Sequence, residues 1–384
     1  MPLLNELVSE ENSLAVTAAT PFQKLKDYLR QLVPWIALSV GLGSLAILWV
    51  GENPIRVYAL LVREGFFTKR GFMIAIQRGT PLILTASAAT MAFRAGAINM
   101  GMAGQFMVGG TAASMAAAAF AGLPKPIHLP LVLFFCALGG AAAGFVPAFF
   151  KRVSGINEVI TGMIANLMMP YLMSAVVNLL PLLQSARFAA RRGIPETAQF
   201  RHFSELTNGV LGVGTKANTS VFMAIALAFF LSWWIRRSTL GFEIRMTKAN
   251  YTFAEFVGIR ASRGFYLGMM LSGAIAALAG ATEVLGTWQG YRTGTLVVGE
   301  KGLVISLIGA QNFIGSMVVA LIYGGLESGT LNVSWFTSIP RPLIDIIVLL
   351  IFILSAVPAM RSFFTGSDPA ESEHLGGQFV TRWR

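Results

Sequence analysis

The chain has 384 residues, of which 55% are hydrophobic and 12% charged, where about a quarter charged is usual for a soluble domain. With a mean hydropathy of +0.65, this composition excludes an ordinary soluble enzyme. The formal net charge is +11, but the Lys and Arg residues are scattered over connecting segments instead of forming one basic stripe with interleaved aromatics, so nucleic acid is not an expected partner.

The N-terminus opens on a polar stretch with Glu6, Glu10, Glu11 and Lys24. It lacks the cationic start and small-residue cleavage site of a secretory signal, so the first span is expected to be retained. Residues 1-31 read as a cytoplasmic arm. Apolar blocks long enough to cross a ~30 Å hydrocarbon core, about 20 helical residues each, follow near 32-50, 71-93, 96-119, 128-150, 157-183, 219-235, 264-286, 303-312 (short), 313-329 and 341-360. The fold class is therefore all-α: a polytopic membrane helix bundle of roughly ten transmembrane helices, some short or broken, over residues 32-361. Residues 362-384 remain as a cytoplasmic C-terminal tail.

Between the first two spans, Asn53 to Phe67 is amphipathic and too charged to cross, which places it at an interface. Pro81, Pro147 and Pro170 fall inside spans, where a missing backbone donor must be compensated by neighbouring helices or a polar cavity, and broken helices of this kind mark transport folds. The 40 glycines suit membrane helices, which use small residues for close packing. Gly140-Ala-Ala-Ala-Gly144 and Gly325-Leu-Glu-Ser-Gly329 have small-xxx-small spacing, although a glycine-rich chain contains such pairs by chance. Cys136, the single cysteine, sits in an apolar run and reads as a buried structural thiol, with neither a disulfide framework nor a thiolate metal site.

Lys151-Arg152 and Arg236-Arg237 directly follow apolar runs, and the positive-inside rule puts them in the cytoplasm. Both termini are then cytoplasmic. Residues 184-218 disagree: they carry Arg187, Arg191, Arg192, Arg201 and Lys216 against Glu196 and Glu205, yet span parity makes them an extracytoplasmic loop. Within that loop, Gly209-Val-Leu-Gly-Val-Gly214 is followed by Thr215 where a phosphate-binding loop needs Lys, and no strand-loop-helix context surrounds it. No ATPase site of the chain's own is expected. His128, His202 and His374 are far apart and lack metal-ligand spacing, so neither a metal, a cofactor nor a catalytic group is expected.

Amide and ionisable groups at membrane depth are costly and mark either interhelical hydrogen bonds or a polar passage. They are Asn99, Gln105, Asn157, Glu158, Asn166, Asn178, Glu283, Gln311 and Asn312. For any single amide the hydrogen bond is the simpler reading, and for Glu158 and Glu283 a helix end within reach of water; only the group as a whole points to a passage. The cytoplasmic segment 236-263 carries Arg236, Arg237, Arg245, Lys248, Arg260 and Arg263 against Glu243 and Glu255. Its middle, Met246 to Ile259, reads as one short amphipathic helix presenting Phe253, Phe256 and Val257. It is either a surface helix resting on headgroups or a docking helix for a soluble partner.

These residues also resemble a family. Arg78-Gly-Thr-Pro81-Leu82-Ile-Leu84-Thr85, followed by Ala92-Phe93-Arg94-Ala95-Gly96, and Asn99-Met-Gly101-Met-Ala103-Gly104-Gln105 are similar to consecutive signatures of the permease subunits of bacterial ABC importers, in the branched-chain amino acid, ribose and nucleoside superfamily. Gly155-Ile-Asn157-Glu158-Val159-Ile160 with Asn166 resembles a further signature. Gly241-Phe242-Glu243 with Arg245, Asn250, Ala254 and Gly258-Ile259 resembles the cytoplasmic coupling segment, and Gly302 to Gly309 with the Asn312 turn resembles the late pair of short helices. The likeness runs over 70 to 330 and is nearest to the nucleoside, basic membrane lipoprotein-associated branch. Ala103 stands where that branch usually has Glu, and Tyr251 where it usually has Pro.

The resemblance implies a multi-pass subunit of the bacterial inner membrane that moves a nucleoside or similar small polar solute and binds no ATP itself. It implies a substrate pathway involving Asn99, Gln105, Asn157, Glu158 and Asn166, and ATPase coupling through Arg245, Asn250, Ala254, Glu255 and Gly258. The implied partners, besides membrane lipid, are cytoplasmic ABC ATPase subunits, a second permease (a different chain or a homodimeric copy) and an extracytoplasmic solute-binding protein. A sugar or amino-acid ABC permease is the alternative within this class, and an ion-coupled secondary transporter the alternative outside it. A membrane-embedded enzyme would need clustered His, Asp or Ser groups, which the sequence does not offer.

Overall fold

A computed structural model describes residues 21–179, 193–290 and 297–365. Residues 1-20 of the expected N-terminal arm, 180-183 of the fifth span, 184-192 of the long loop and 366-384 of the C-terminal tail lie outside the described residues, as do the Asn178 side chain and His374. In chain order the helices are α1 (Pro21–Trp49), α2 (Pro54–Val62), α3 (Lys69–Arg94), α4 (Met102–Ala119), α5 (Lys125–Ser154), α6 (Glu158–Leu179) and the one-turn α7 (Phe203–Leu206). They continue with α8 (Ser220–Arg237), α9 (Thr239–Ala249), α10 (Tyr251–Phe256), α11 (Ala261–Thr282), α12 (Val297–Ile308), α13 (Phe313–Phe336) and α14 (Arg341–Thr365). α2 runs on into a π turn at Arg63–Phe67, and α11 into another at Glu283–Trp288. Strand pairing among the described residues is limited to one isolated bridge, His202 to Asn218.

Among the described residues, seven helices are long and apolar enough to cross a membrane: α1, α5, α6, α8, α11 with its π turn, α13 and α14. The less apolar α3 occupies the centre, where every residue from Gly79 to Phe93 is buried and α8, α11, α12 and α13 pack around it. Its hydroxyls survive there because they bond back along the helix, Thr80 to the Ile76 carbonyl, Ser87 to Ile83 and Thr90 to Ala86, so none of these three is stranded in an apolar setting. α6 lies at the opposite extreme, with only 6% of its spanning window buried against 61% for α11.

The breaks do not fall at the prolines. Pro81, Pro147 and Pro170 sit inside continuous helices, since one missing donor can be absorbed by neighbouring groups. Helical structure stops instead at residues 95–101, where Gly96 adopts φ +73, and at 309–312, where Ala310 and Gln311 adopt φ +54 and +53. The expected spans at 96-119 and 303-312 therefore resolve into helices at Met102–Ala119 and Val297–Ile308, each next to an irregular turn. The segment 54–67 is not simply a surface helix, because Val57, Leu61 and Gly65 are buried.

Both small-xxx-small pairs are real contacts. Gly140 and Gly144 of α5 receive Gly273 of α11, where an added Cβ would collide with the Gly140 carbonyl and come within 2.9 Å of the Gly144 Cα. Gly325 and Gly329 of α13 receive the Phe66 ring and the Leu61 carbonyl of the 54–67 segment. Lipid tails are as apolar as leucine, so attraction between these helices comes from close van der Waals contact, which glycine permits. Gly273→Leu should cost at least the ~1–3 kcal/mol of core overpacking and abolish a monodisperse peak in detergent chromatography. Gly41→Ala, with nothing within 4 Å of the added carbon, should leave the peak intact; equal behaviour of the two would mean that α5 and α11 do not touch at glycine.

Candidate functional site

Three of the five expected pathway residues meet at the α3–α4 break. Asn99 Oδ1 accepts from the Gly101 N–H at 3.0 Å and from Gln105 Nε2 at 3.1 Å, while its Nδ2 donates to Gln105 Oε1 at 2.7 Å and to Ser272 Oγ of α11 at 2.8 Å. Ser272 Oγ donates in turn to the Ala88 carbonyl at 2.7 Å, six residues before the end of α3 and so about 9 Å inside it at 1.5 Å per residue. Asn166 approaches the same turn from α6: its Oδ1 accepts from the Gly104 N–H at 2.8 Å, and its Nδ2 donates to the Met100 carbonyl at 2.6 Å. Asn99 and Gln105 are 1% and 2% exposed. Their amides are committed to holding non-helical backbone at membrane depth, where irregular chain is tolerated only when protein satisfies it.

Asn157 and Glu158 lie elsewhere, at the start of α6, about 12 Å along that helix from Asn166. Asn157 is exposed and caps the Val159 N–H at 2.9 Å. Glu158 pairs with Lys151 Nζ at 2.7 Å, and that ammonium also stands 5.0 Å from the Phe265 ring centroid. Glu158 and Glu283 do lie at helix ends, but the reading of them as within reach of water needs correction, because they are only 5% and 8% exposed. Lys151 covers the first; Arg78, Trp288 and Lys216 surround the second.

The segment read as one helix from Met246 to Ile259 is two. Asn250 turns extended, φ −158 and ψ 109, and its side chain accepts from the Phe253 N–H at 2.9 Å, ending α9 and starting α10. Tyr251 is the first residue of α10, the position where proline is favoured for its preset φ, so this departure from the family pattern leaves the helix start in place. At the other end, Gly258 adopts φ +82, the Gly258 N–H donates to Glu255 and the Ile259 N–H to Ala254, a left-handed stop that glycine adopts without strain. Ala254 is fully buried, whereas Glu255, Phe256 and Val257 are exposed. Arg245 bonds its own helix, Nε to the Gly241 carbonyl at 3.4 Å.

Besides Ile244 in the main core, two side-chain hydrogen bonds tie α9 to the bundle. Thr247 Oγ1 reaches the Ala261 carbonyl at the start of α11, 3.4 Å away. Lys248 Nζ donates to Gln311 Oε1 at 2.8 Å, while Arg94 Nε donates to the Gln311 carbonyl at 3.1 Å. Partial burial, and then the Arg94 charge, push the Lys248 ammonium down to about 8. Gln311 and Asn312 thus belong to the α12–α13 turn, with Asn312 capping the Ile314 N–H.

At the far end of the bundle from α9 and α10, sequence reasoning named Glu283 but not the groups around it, and missed the Lys301 and Glu327 pair. Around Glu283, Lys216 stacks 4.2 Å from the Trp288 ring centroid and donates its backbone N–H to Gln77 Oε1 at 2.9 Å. Lys301 of α12 pairs with Glu327 of α13 at 3.5 Å and lies 5.1 Å from the Tyr323 ring. The described part of the long loop, 193 to 218, folds with Thr219 over this end as a cap: Phe200 N–H donates to the Leu285 carbonyl, Ile194 N–H to Gln289, and His202 Nε2 meets the Gly286 carbonyl. Its Gly209–Gly214 stretch forms successive turns with Val210 and Val213 exposed. No group of three or more His, Cys, Asp or Glu side chains suited to a metal occurs among the described residues.

Comparison with known proteins bears on this geometry. The family profile described as branched-chain amino acid transport system / permease component matches residues 72–356. The chain is 32% identical to the guanosine ABC transporter permease protein NupP of Bacillus subtilis over 348 residues, covering 87% of this chain and 95% of that protein. It is 30% identical to the nucleoside ABC transporter permease protein NupB of Lactococcus lactis over 336 residues, 85% and 90% of the two chains. The glucose ABC transporter permease protein TsgB13 of Haloferax volcanii is 25% identical over 366 residues, 91% and 93%.

Asn99→Ala removes four hydrogen bonds at once and strands buried partners at about 1–3 kcal/mol each. The thermal midpoint of the purified protein should fall by several degrees. Asn157→Ala deletes one exposed cap, worth about 1 kcal/mol, and should shift it less; equal shifts would take from Asn99 its role in holding the break.

Proposed function

We propose that this chain, which belongs to the branched-chain amino acid transport system / permease component family, moves a nucleoside or similar small polar solute as a permease subunit of an ABC importer. The observation that carries the reading is the satisfied break at Asn99, a half-helix start held inside the bundle beside a central helix. Discontinuous helices of this kind form solute sites near the membrane midplane, with the positive helix end directed at the solute. The nucleoside preference rests on the guanosine and nucleoside permeases among its relatives; the glucose permease keeps a sugar as the alternative solute. Ala103, in place of the Glu usual in the nucleoside branch, takes a carboxylate away from the start of α4, where Gly299 of α12 lies against its backbone.

We read α3, α4 and the half-length α12 as passes beside the seven apolar helices; ten passes put both termini on one side, and the positive-inside rule makes that side the cytoplasm. In this arrangement Lys151, Arg152, Arg236 and Arg237 face the cytoplasm of a bacterial cell and the 193–219 cap faces outward. The exposed Val210 and Val213 of the cap offer a seat for an extracytoplasmic binding protein. The bare apolar face of α6 offers one for the second permease, whether a different chain or a second copy. The subunit carries no ATPase site of its own: α10, with Glu255, Phe256 and Val257 outermost, would dock into ABC ATPase subunits. Closure of those subunits would press on α9 and α10 and reach the Asn99 break through α11, whose Ser272 holds it. Both bundle states must then lie close in energy.

Affinity purification from the native host should recover an ATPase with the wild-type chain and lose it with Phe256→Asp or Glu255→Arg, both exposed positions that leave the buried Ala254 in place. Reconstituted with those partners, the complex should take up labelled guanosine only when ATP is supplied. Uptake that persists on an ion gradient without ATP would instead establish the secondary-transporter reading. For orientation, a thiol introduced as Ser204→Cys should react with an impermeant reagent in intact spheroplasts; labelling from the cytoplasmic face alone would invert the topology.

A further inference from the structure

Three arginines converge on a cavity of about 280 Å³ at the α9 end of the bundle. Arg94 closes α3, Arg236 lies in the last turn of α8, Arg245 belongs to α9, and Asn312 and Phe313 open α13. The cavity is bordered by the ends of α8 and α13, both long and apolar enough to cross a membrane. One turn before Arg236, Trp233 is 61% exposed, and tryptophan at the end of a spanning helix marks headgroup level.

The charge of these arginines is uncompensated within the chain as described. The ion pairs among the described residues are Arg63 with Glu64, Lys151 with Glu158, His202 with Glu205, Lys301 with Glu327, and Arg341 with Asp345. None includes Arg94, Arg236 or Arg245. Arg94 and Arg245 each donate one Nε–H to a neutral carbonyl, which leaves most of the five donors of each guanidinium for another acceptor. A guanidinium is always charged, so like charges held around one cavity repel until an anion joins them. The N-terminus of the 24-residue α13 adds a further positive end on the same wall.

We propose that this cavity binds a phosphate-bearing anion, supplied by the headgroup of an acidic phospholipid in the surrounding leaflet. Basic pockets between spanning helices at the membrane surface suit such headgroups, and guanidiniums match phosphate oxygens in fork geometry. At 280 Å³ the space falls just below the ~300–1,000 Å³ of drug-sized ligand pockets and accommodates one phosphate with part of its headgroup. Bound there, the phosphate would join Arg245 of α9 to Arg94 of α3 and Arg236 of α8. The inference needs only that α8 and α13 cross the membrane and is independent of which solute is carried.

The test uses the full-length protein, delipidated in neutral detergent and titrated in native mass spectrometry with phosphatidylglycerol, phosphatidylcholine or inorganic phosphate. The wild type should retain phosphatidylglycerol most tightly, and Arg94→Gln/Arg245→Gln should weaken that binding by about tenfold or more, the scale of one lost charge-assisted contact. Arg56→Gln, an exposed charge on α2, should leave it unchanged. Arg236→Gln serves as a second variant at an exposed position, and Arg245→Lys should restore part of the binding lost with Gln. Phosphatidylglycerol binding that is the same in all variants overturns the proposal. So does displacement of the lipid by millimolar inorganic phosphate alone, which assigns the site to the free ion. Retained lipid with loss of a co-purifying ATPase in the double variant also overturns it, because the arginines would then take a partner's carboxylates.

Discussion

Inside a bilayer no water is available to a broken helix, so each interrupted N–H and C=O must find its partner within the protein. That constraint organises this bundle around the few residues between Ala95 and Met102. Asn99 closes the turn on itself and onto Gln105, Asn166 closes it from α6, and Ser272 fixes it to α3 through the Ala88 carbonyl. For Ser272 to reach Asn99, α11 must lie tight against α3, α4 and α5, which its small residues allow, Gly273 against Gly140 and Gly280 against Phe106. The abundance of glycine and the buried amides are therefore two parts of one solution: the glycines bring backbones together, and the amides satisfy the backbone that this leaves irregular.

The same logic joins the distant ends of the molecule. α11 begins beside the Thr247 hydroxyl and ends under the cap, with Ser272 between them. The α12–α13 turn is gripped by Lys248 and Arg94, and two successive non-glycine residues there hold left-handed backbone, a conformation costing of order 1–3 kcal/mol each. A rigid helix with one end against α9 and its middle at the Asn99 break can carry displacement between them as a body.

Much of this arrangement was legible in the sequence because its chemistry is local. Asn99 to Gln105 are six residues apart and meet, and Gly258 stops a short amphipathic helix; the cap at Asn250 inside that segment was not legible, because the amphipathic pattern runs on through it. The break positions were less legible, since proline announces a missing donor but not whether neighbours absorb it, whereas Gly96 and Asn99 build the turn actively. The charged groups were hidden for a different reason. Glu283 and Arg78 are far apart in sequence, as are His202 and Gly286, and only the fold brings them together. The cap over the α11 end carries no periodicity to announce it; its glycines and polar residues read as loop, and its order comes from hydrogen bonds to a π turn that the sequence also does not mark.

Cys136 lies wholly buried in α5, packed with Ala113, Val132 and Leu285. The native chain is thus a ready background for spectroscopy, since a probe attached through sulfur has no accessible thiol among the described residues to confuse its signal. Paired spin labels on the cap tip at Val210 and on α10 at Thr252, both exposed, would span the molecule from end to end without removing the natural cysteine. The distance distribution between them would count the states the bundle visits and weigh their populations as nucleotide and solute are added.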